Sequence, residues 1–289
     1  MAKFIRILKD INELIVFKHS VFALPFIFVA MIVASKSING SIWFGWELFI
    51  LGLFCAVSAR NFAMGANRYL DRDIDKDNPR CASRPSVDGR IGGGNLLIFI
   101  WLNALIFVIV AYFINSLAFW LSFPILAVLG AYSYFKRFSS LAHVVLGVCL
   151  GLSPIAGAIA VLAGVPLWAI LLSCGVVFWV AGFDILYSLQ DMEYDKKMGL
   201  FSIPSIYGAQ ASMFICAIFH ALTVLFWLLF AIGAQLGVMG FIGVAVSGVI
   251  LYLEHRIVRR DFSKIDRAFF TLNGYLGIIF FIFVLVSLW

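Results

Sequence analysis

The chain has 289 residues, 63% of them hydrophobic and 12% charged, against about 45–50% and about 25% in soluble domains. A water-soluble fold of this size has no interior large enough for that much apolar side chain, so lipid must be the solvent for most of it. The net charge of +6 raises anionic lipid or nucleic acid as partners, while five scattered cysteines and four isolated histidines show neither a disulfide framework nor zinc spacing.

Residues 1–17 intersperse charges among apolar positions, the pattern of an interfacial amphipathic helix. Nine apolar stretches follow, near 18–35, 43–66, 96–114, 117–135, 142–163, 166–189, 206–233, 236–254 and 267–288. Each has the length of a bilayer crossing, about 17–25 residues. Pro25 predicts a kink in the first, which a lipid-embedded helix tolerates. No small-residue cleavage site follows that stretch, so it is expected to be retained and not removed as a signal peptide. The longest polar interval, 67–95, is also the most charged.

Charge placement tests the count. With nine crossings and a cytoplasmic N-terminus, the inner segments are 1–17, 67–95, 136–141, 190–205 and 255–266. Every one of the 21 Lys and Arg except Lys36 falls on these segments or the adjoining helix ends. Eight or ten crossings would lose that asymmetry, so the positive-inside rule favours nine. The basic balance is a topology signal, and nucleic-acid binding is not needed to explain it. The expected architecture is all-α: one domain over 1–289, a polytopic membrane bundle of nine transmembrane helices with its N-terminus cytoplasmic.

Two acid-rich segments follow long apolar stretches and face the same compartment in this topology. The first reads Asn67-Arg-Tyr-Leu-Asp71-Arg-Asp73-Ile-Asp75-Lys-Asp77; the second reads Asp184-Ile-Leu-Tyr187-Ser-Leu-Gln190-Asp191-Met-Glu193-Tyr-Asp195. At about 100° per residue, a spacing of four keeps Asn67, Asp71 and Asp75 on one helix face, and Asp191 and Asp195 on another. Arg60 lies seven residues before Asn67, and Asp184 seven before Asp191, so the offsets 7 and 4 recur and hint at an internal duplication. Carboxylates on facing helices suit Mg²⁺, a hard ion that sits between carboxylates and substrate phosphates. Bound metal inverts the field that would otherwise repel a diphosphate. The interleaved Arg68, Arg72, Lys76, Arg80 and Arg84, with Lys136, Arg137, Lys196 and Lys197, can neutralise the remaining charge. Lys196, Lys197 and the cluster over 255–267 read better as solvated loop, Asp73, Asp77, Asp88 and Glu193 read at least equally well that way, and Glu47 reads as a solvated anchor. Arg60 and Asp184 fall inside apolar stretches, where ionised groups are costly unless they snorkel or serve the site. Arg60 shares the metal-site face and is placed to meet a substrate carboxylate.

At these residues the chain resembles the UbiA family of membrane aromatic prenyltransferases, whose motifs Asn-x-x-x-Asp-x-x-x-Asp and Asp-x-x-x-Asp stand here as Asn67, Asp71, Asp75 and Asp191, Asp195. The string Tyr-Ser-Tyr-Phe-Lys-Arg-Phe at 132–138 and the stretch 202–208 are similar to the family too, so the likeness spans essentially the whole chain. Asn67-Arg-x-x-Asp71-Arg72 looks like the 4-hydroxybenzoate polyprenyltransferase branch, and a related set of enzymes uses a naphthoate acid. Cys81 stands where Thr is common, and Ser86-Val87-Asp88-Gly89 replaces a more usual Leu-Pro-x-Gly; both departures bear on the aromatic substrate and leave the metal motifs intact.

The resemblance implies transfer of a polyprenyl group from an allylic polyprenyl diphosphate to 4-hydroxybenzoate or a hydroxy-naphthoate in respiratory quinone biosynthesis. It places the enzyme in a bacterial inner membrane with its active site at the cytoplasmic face, surrounded by membrane lipid. Mg²⁺ is the implied cofactor, held by Asn67, Asp71, Asp75, Asp191 and Asp195, with Asp71 and Asp191 catalytic. Arg60, Asn67, Arg72, Lys136, Arg137, Asp184 and Tyr187 are the expected substrate-binding residues, and Gln190 is a further candidate for shaping the site. Two other classes use intramembrane acids. A CDP-alcohol-type phosphotransferase would resemble Asp-Gly-x-x-Ala-Arg before its acids, and no such string occurs. An ion-coupled transporter would carry acids near mid-depth on several helices, whereas these cluster at one face.

Overall fold

Lipid offers no hydrogen bonds to a backbone, so a chain this apolar crosses it as helices that satisfy their own peptide groups. The structure, a computed structural model, describes residues 2–15, 24–262, 265 and 268–289. Among these there are helices and no strand. In chain order they are α1 Ala2–Ile15, α2 Leu24–Asn39, α3 Trp46–Leu70, α4 Arg72–Asp77, α5 Gly93–Ile114 and α6 Ser116–Ala131, which continues as a 3₁₀ turn over Tyr132–Arg137. Then come α7 Ala142–Leu162, α8 Leu167–Ser188, a 3₁₀ turn Leu189–Asp191, α9 Met192–Met198, α10 Ile203–Gly233 and α11 Val238–Arg260. A π-turn Ala268–Leu272 leads into α12, Asn273–Ser287.

Among the described residues eight segments are long and apolar enough to cross a bilayer, and α2, at 16 residues, coincides with the first predicted span. The start of that span at 18–23, and with it Lys18, lies outside the described residues, as do Lys264 and Arg267. Pro25 is the second of the described residues of α2, and the segment before it, where the expected kink would show, lies outside the described residues. A departure from helical backbone falls at Gly208 in α10 (φ 78°, ψ 171°).

Four apolar clusters hold the bundle among the described residues, two of them the largest. Phe26 of α2, Trp179 of α8, Trp227 of α10 and Phe280 of α12 stack in the first, with ring centroids 4.6 Å apart for Trp227–Phe280 and 5.4 Å for Phe26–Trp227. The second joins Leu14 and Ile15 of α1 to Phe62, Leu96, Ile100 and Leu129 of α3, α5 and α6. The outer faces are apolar as well: Ile98, Trp101, Leu105 and Tyr112 on α5 and Trp120 on α6 are exposed. Apolar surface of that extent belongs against lipid.

α8 is the most enclosed span, and α7 reaches it through glycine. A Cβ at Gly147 would stand 2.3 Å from the Val177 carbonyl oxygen, and one at Gly151 would stand 2.5 Å from Val177 Cγ2. Small residues let backbones approach in this way where no hydrophobic effect drives helices together.

α1 packs against α3. Its last carbonyls are capped from α3: Arg60 Nη1 donates to Ile15 O at 2.8 Å and Arg68 Nε to Leu14 O at 3.2 Å. Arg90, from the loop before α5, grips Glu13 through both oxygens at 2.6 and 2.7 Å and also pairs with Asp10 and Asp88. The Arg90 guanidinium holds the Glu13 carboxyl below the usual carboxylate range.

Two outcomes follow from these contacts. Gly147→Ala should destabilise the bundle by about 1–3 kcal/mol, the usual cost of overpacking; unchanged unfolding in detergent would mean that α7 and α8 do not approach this closely. Because Glu13 has a depressed pKa, the stabilisation of docked α1 is present above about pH 4.3, the unfolded value, and is lost as pH falls through the folded one. Hydrogen exchange in α1, corrected for intrinsic rate, should therefore speed up on acidification in the wild type. Glu13→Gln should flatten that dependence.

Candidate active site

Arg60 and Asn67 stand seven residues apart on α3, with Asp71 four beyond, so a polar stripe runs from inside the bundle to its charged end. The sequence placed each carboxylate set on an unbroken helix, and here the structure corrects it. α3 stops at Leu70, and Asp71 takes φ −93°, ψ 6° before α4 begins. Asp191 repeats the device at φ −98°, ψ 1° between its 3₁₀ turn and α9. Both values lie in the sparsely populated bridge region where many active-site residues sit. Main-chain bonds from Asp71 N to Asn67 O (2.9 Å) and from Asp75 N to Asp71 O (2.7 Å) keep the i→i−4 register across the first break. The motif therefore bends without losing its face. The internal similarity extends from residue offsets to backbone conformation.

Asp71 and Asp75 are almost out of water, at 2% and 4% exposure, and cations answer them. Asn67 Nδ2 donates to Asp71 Oδ2 at 2.7 Å, and Lys136 Nζ lies 2.8 Å from the same oxygen. Arg84 pairs with Asp75. Burial pushes the Asp71 carboxyl above its ordinary range against the pull of Lys136. Its second oxygen, Oδ1, is buried with no hydrogen-bond partner among the described residues.

The two acidic segments touch. Arg80 Nε donates to Asp191 Oδ1 at 2.9 Å, its Nη2 binds Asp191 Oδ2, and its Nη1 donates to the Tyr187 hydroxyl at 2.7 Å. Asn78 Nδ2 reaches Asp191 Oδ1 at 3.3 Å, and the Tyr194 hydroxyl donates to Ile74 O at 2.6 Å. Asn67, Asp71, Asp75, Asp191 and Asp195 all line one cavity of about 760 Å³. Its deeper wall is apolar, formed by Cys55, Ala59, Phe107, Ile125, Leu129 and Leu150. Five side-chain oxygen donors and an orphaned carboxylate oxygen make a hard-ligand set of the kind Mg²⁺ takes.

Of the other predicted residues, Arg60, Lys136, Asp184 and Tyr187 line the same cavity. Arg72, Arg137 and Gln190 are not among its lining. Arg72 Nε donates to Ser86 O at 3.0 Å, holding the loop that precedes α5. Arg137 pairs with Asp73 at 2.7 Å and donates to Leu70 O at 2.7 Å, closing the end of α3. Each of these arginines neighbours a cavity residue in sequence, and one residue along a helical turn rotates a side chain by about 100°.

His143, isolated in sequence, belongs to the site. Ile203 N–H donates to its Nε2 at 3.2 Å, so the ring proton is on Nδ1, which donates to Asp184 Oδ2 at 2.7 Å. Its partners lie 41 and 60 residues away; no local spacing marks it.

A helical membrane bundle whose two matched carboxylate sets meet at the mouth of an apolar cavity has the build of a membrane prenyltransferase. Residues 23–285 match the UbiA prenyltransferase family, and the chain belongs to that family. It is 32% identical, over 84% of its length and 83% of the relative's, to a 4-hydroxybenzoate octaprenyltransferase of Yersinia pseudotuberculosis serotype IB (strain PB1/+). A protein of that description from Chromohalobacter salexigens is 31% identical over 84% of this chain and 80% of its own. Among solved structures, the apo form of a UbiA homolog from Aeropyrum pernix K1 superposes with a TM-score of 0.84 at 28% identity, covering 94% of this chain and 98% of that one. A UbiA homolog from Archaeoglobus fulgidus, bound to DMAPP and Mg²⁺, shares the fold at 20% identity (TM-score 0.73, 96% of this chain and 99% of that one). Family membership bears out the resemblance drawn from the motifs and sets aside the phosphotransferase and transporter alternatives.

Proposed function

We propose that this chain transfers a polyprenyl group from an allylic polyprenyl diphosphate to 4-hydroxybenzoate or a closely related hydroxylated aromatic acid, as a step of respiratory quinone synthesis. The observation that carries the proposal is the meeting of the two carboxylate sets in one cavity, tied by Asn78 and Arg80 to Asp191. The charge pattern supports nine crossings with the N-terminus inside, which puts the site at the cytoplasmic face of a bacterial inner membrane.

Asn67, Asp71, Asp75, Asp191 and Asp195 would hold Mg²⁺, which when bound screens the diphosphate from the carboxylates and favours pyrophosphate as leaving group. Arg80, Arg84 and Lys136 add fixed positive charge beside the oxygens on which negative charge gathers as the allylic C–O bond breaks. The apolar walls hold the prenyl chain and keep water from the allylic cation. Arg60 binds the acceptor's ring carboxylate, which orients the ring for attack through the carbon ortho to its hydroxyl. The ring proton then passes to the released pyrophosphate, and aromaticity returns. His143, donating from Nδ1, fixes Asp184 through Oδ2 and leaves Oδ1 to accept the acceptor's phenolic O–H.

Asp71→Asn and Asp191→Asn, each confirmed folded, should lower Mg²⁺-dependent prenyl transfer at least about 10²-fold, the scale for losing one preorganised charge contact. Near-normal turnover in both would refute the metal assignment. Arg60→Ala should raise KM for the aromatic acid by roughly 10–100-fold, as expected for one charge-assisted hydrogen bond, and leave KM for the prenyl diphosphate nearly unchanged. Equal rises in both would argue against a carboxylate clamp.

A further inference from the structure

On the side of α8 away from the cavity, three residues that looked isolated in sequence come together. Cys216 and His220 stand four apart on α10, and His255 comes from α11, five residues before its end at Arg260 and so about 8 Å below it. Cys216 Sγ lies 3.5 Å from His255 Nε2 and 3.9 Å from His220 Nδ1, and the two nitrogens are 3.0 Å apart. The donor atoms thus converge on one point.

Those separations are close to the edges of a tetrahedral coordination polyhedron. With metal–nitrogen bonds of about 2.0 Å and a metal–sulfur bond of about 2.3 Å, tetrahedral angles put N and N roughly 3.3 Å apart and N and S roughly 3.5 Å apart. The surroundings fit as well. His220 bonds the main chain of Trp179, one turn before Gly182, where a built Cβ would lie 2.5 Å from His220 Nε2. This bond to the main chain leaves Nδ1 with its lone pair toward the cluster, as metal-bound histidines are held. His255 Nδ1 and Glu254 Oε2 are buried without hydrogen-bond partners among the described residues. Glu254 is 1% exposed, and its other oxygen accepts from Asn273 Nδ2 at 2.8 Å. A thiolate offsets half the charge of Zn²⁺ or all of that of Cu⁺, which lowers the cost of burying the ion.

We propose that Cys216, His220 and His255 form a second metal site, for a thiophilic closed-shell cation, Zn²⁺ or Cu⁺, distinct from the oxygen-lined Mg²⁺ site. One thiolate and two imidazoles select such ions over Mg²⁺. The ion links α10 to α11 behind α8, next to Gly182, which stands two residues before Asp184, and braces the helix that leads to the second acidic motif.

Cobalt(II) tests this, because a sulfur-to-cobalt charge-transfer band reports cysteine coordination and cannot arise at the carboxylates. Chelator-treated full-length protein in detergent, with excess Mg²⁺ present, should develop that band at one equivalent of Co²⁺. The band should vanish in Cys216→Ser, persist in Cys81→Ser, whose thiol lines the active cavity, and be displaced by Zn²⁺ or, under reductant, by Cu⁺; the tighter competitor identifies the ion. Added Zn²⁺ or Cu⁺ should raise the melting temperature of the wild type and of Cys81→Ser but not of His255→Gln. A wild type without the band overturns the proposal with no variant required. So does a band that survives Cys216→Ser.

Discussion

Asp71 and Asp75 are negative charges almost entirely removed from water, and the charged end of the bundle is arranged to answer them. A carboxylate withdrawn from water without a partner is costly enough to be protonated or to unfold its surroundings. Lys136 and Arg84 meet those two groups, and Arg80 meets Asp191. These cations come from different segments, the turn after α6 and the loop after α4, so balancing the charge also fixes the topology around the cavity. In the proposed reaction the same groups would provide the positive field that a departing pyrophosphate needs.

α8 connects the polar and apolar business of the molecule. One side carries Asp184, held by His143, and leads to Asp191. The other packs Trp179 into the aromatic core, and Trp179 Nε1 donates to Asn273 Oδ1 at 2.7 Å, which continues through Asn273 to Glu254. Gly147 and Gly151 on α7 press on it from a third side. A helix enclosed this way has little freedom to rotate, and metal-ligand geometry tolerates little rotation.

The last two residues of α1 are core, and its final carbonyls are capped by arginines of α3. One of these is Arg60, the proposed acceptor clamp. α1 therefore belongs to the wall of the cavity, with Glu13 on its lining.

Class, spans and motif residues were legible in the sequence because they depend on local regularities. Hydrophobic run length reports bilayer thickness, and four-residue spacing reports a shared face; α3 and α8 stand where the first rule puts them, and Asn67, Asp71 and Asp75 keep the shared register across a break. Side-chain aim was not legible. Arg72 and Arg137 have the composition of substrate ligands and hold backbone instead, because one step along a helix redirects a side chain by about 100°. Asp71 and Asp191 sit at backbone breaks that no residue-level preference announced. His143 with Asp184, and His220 with His255, are pairs 41 and 35 residues apart. Periodicity acts over a few residues. Partnerships at that separation are chosen only when whole helices pack, since the packing decides which faces meet.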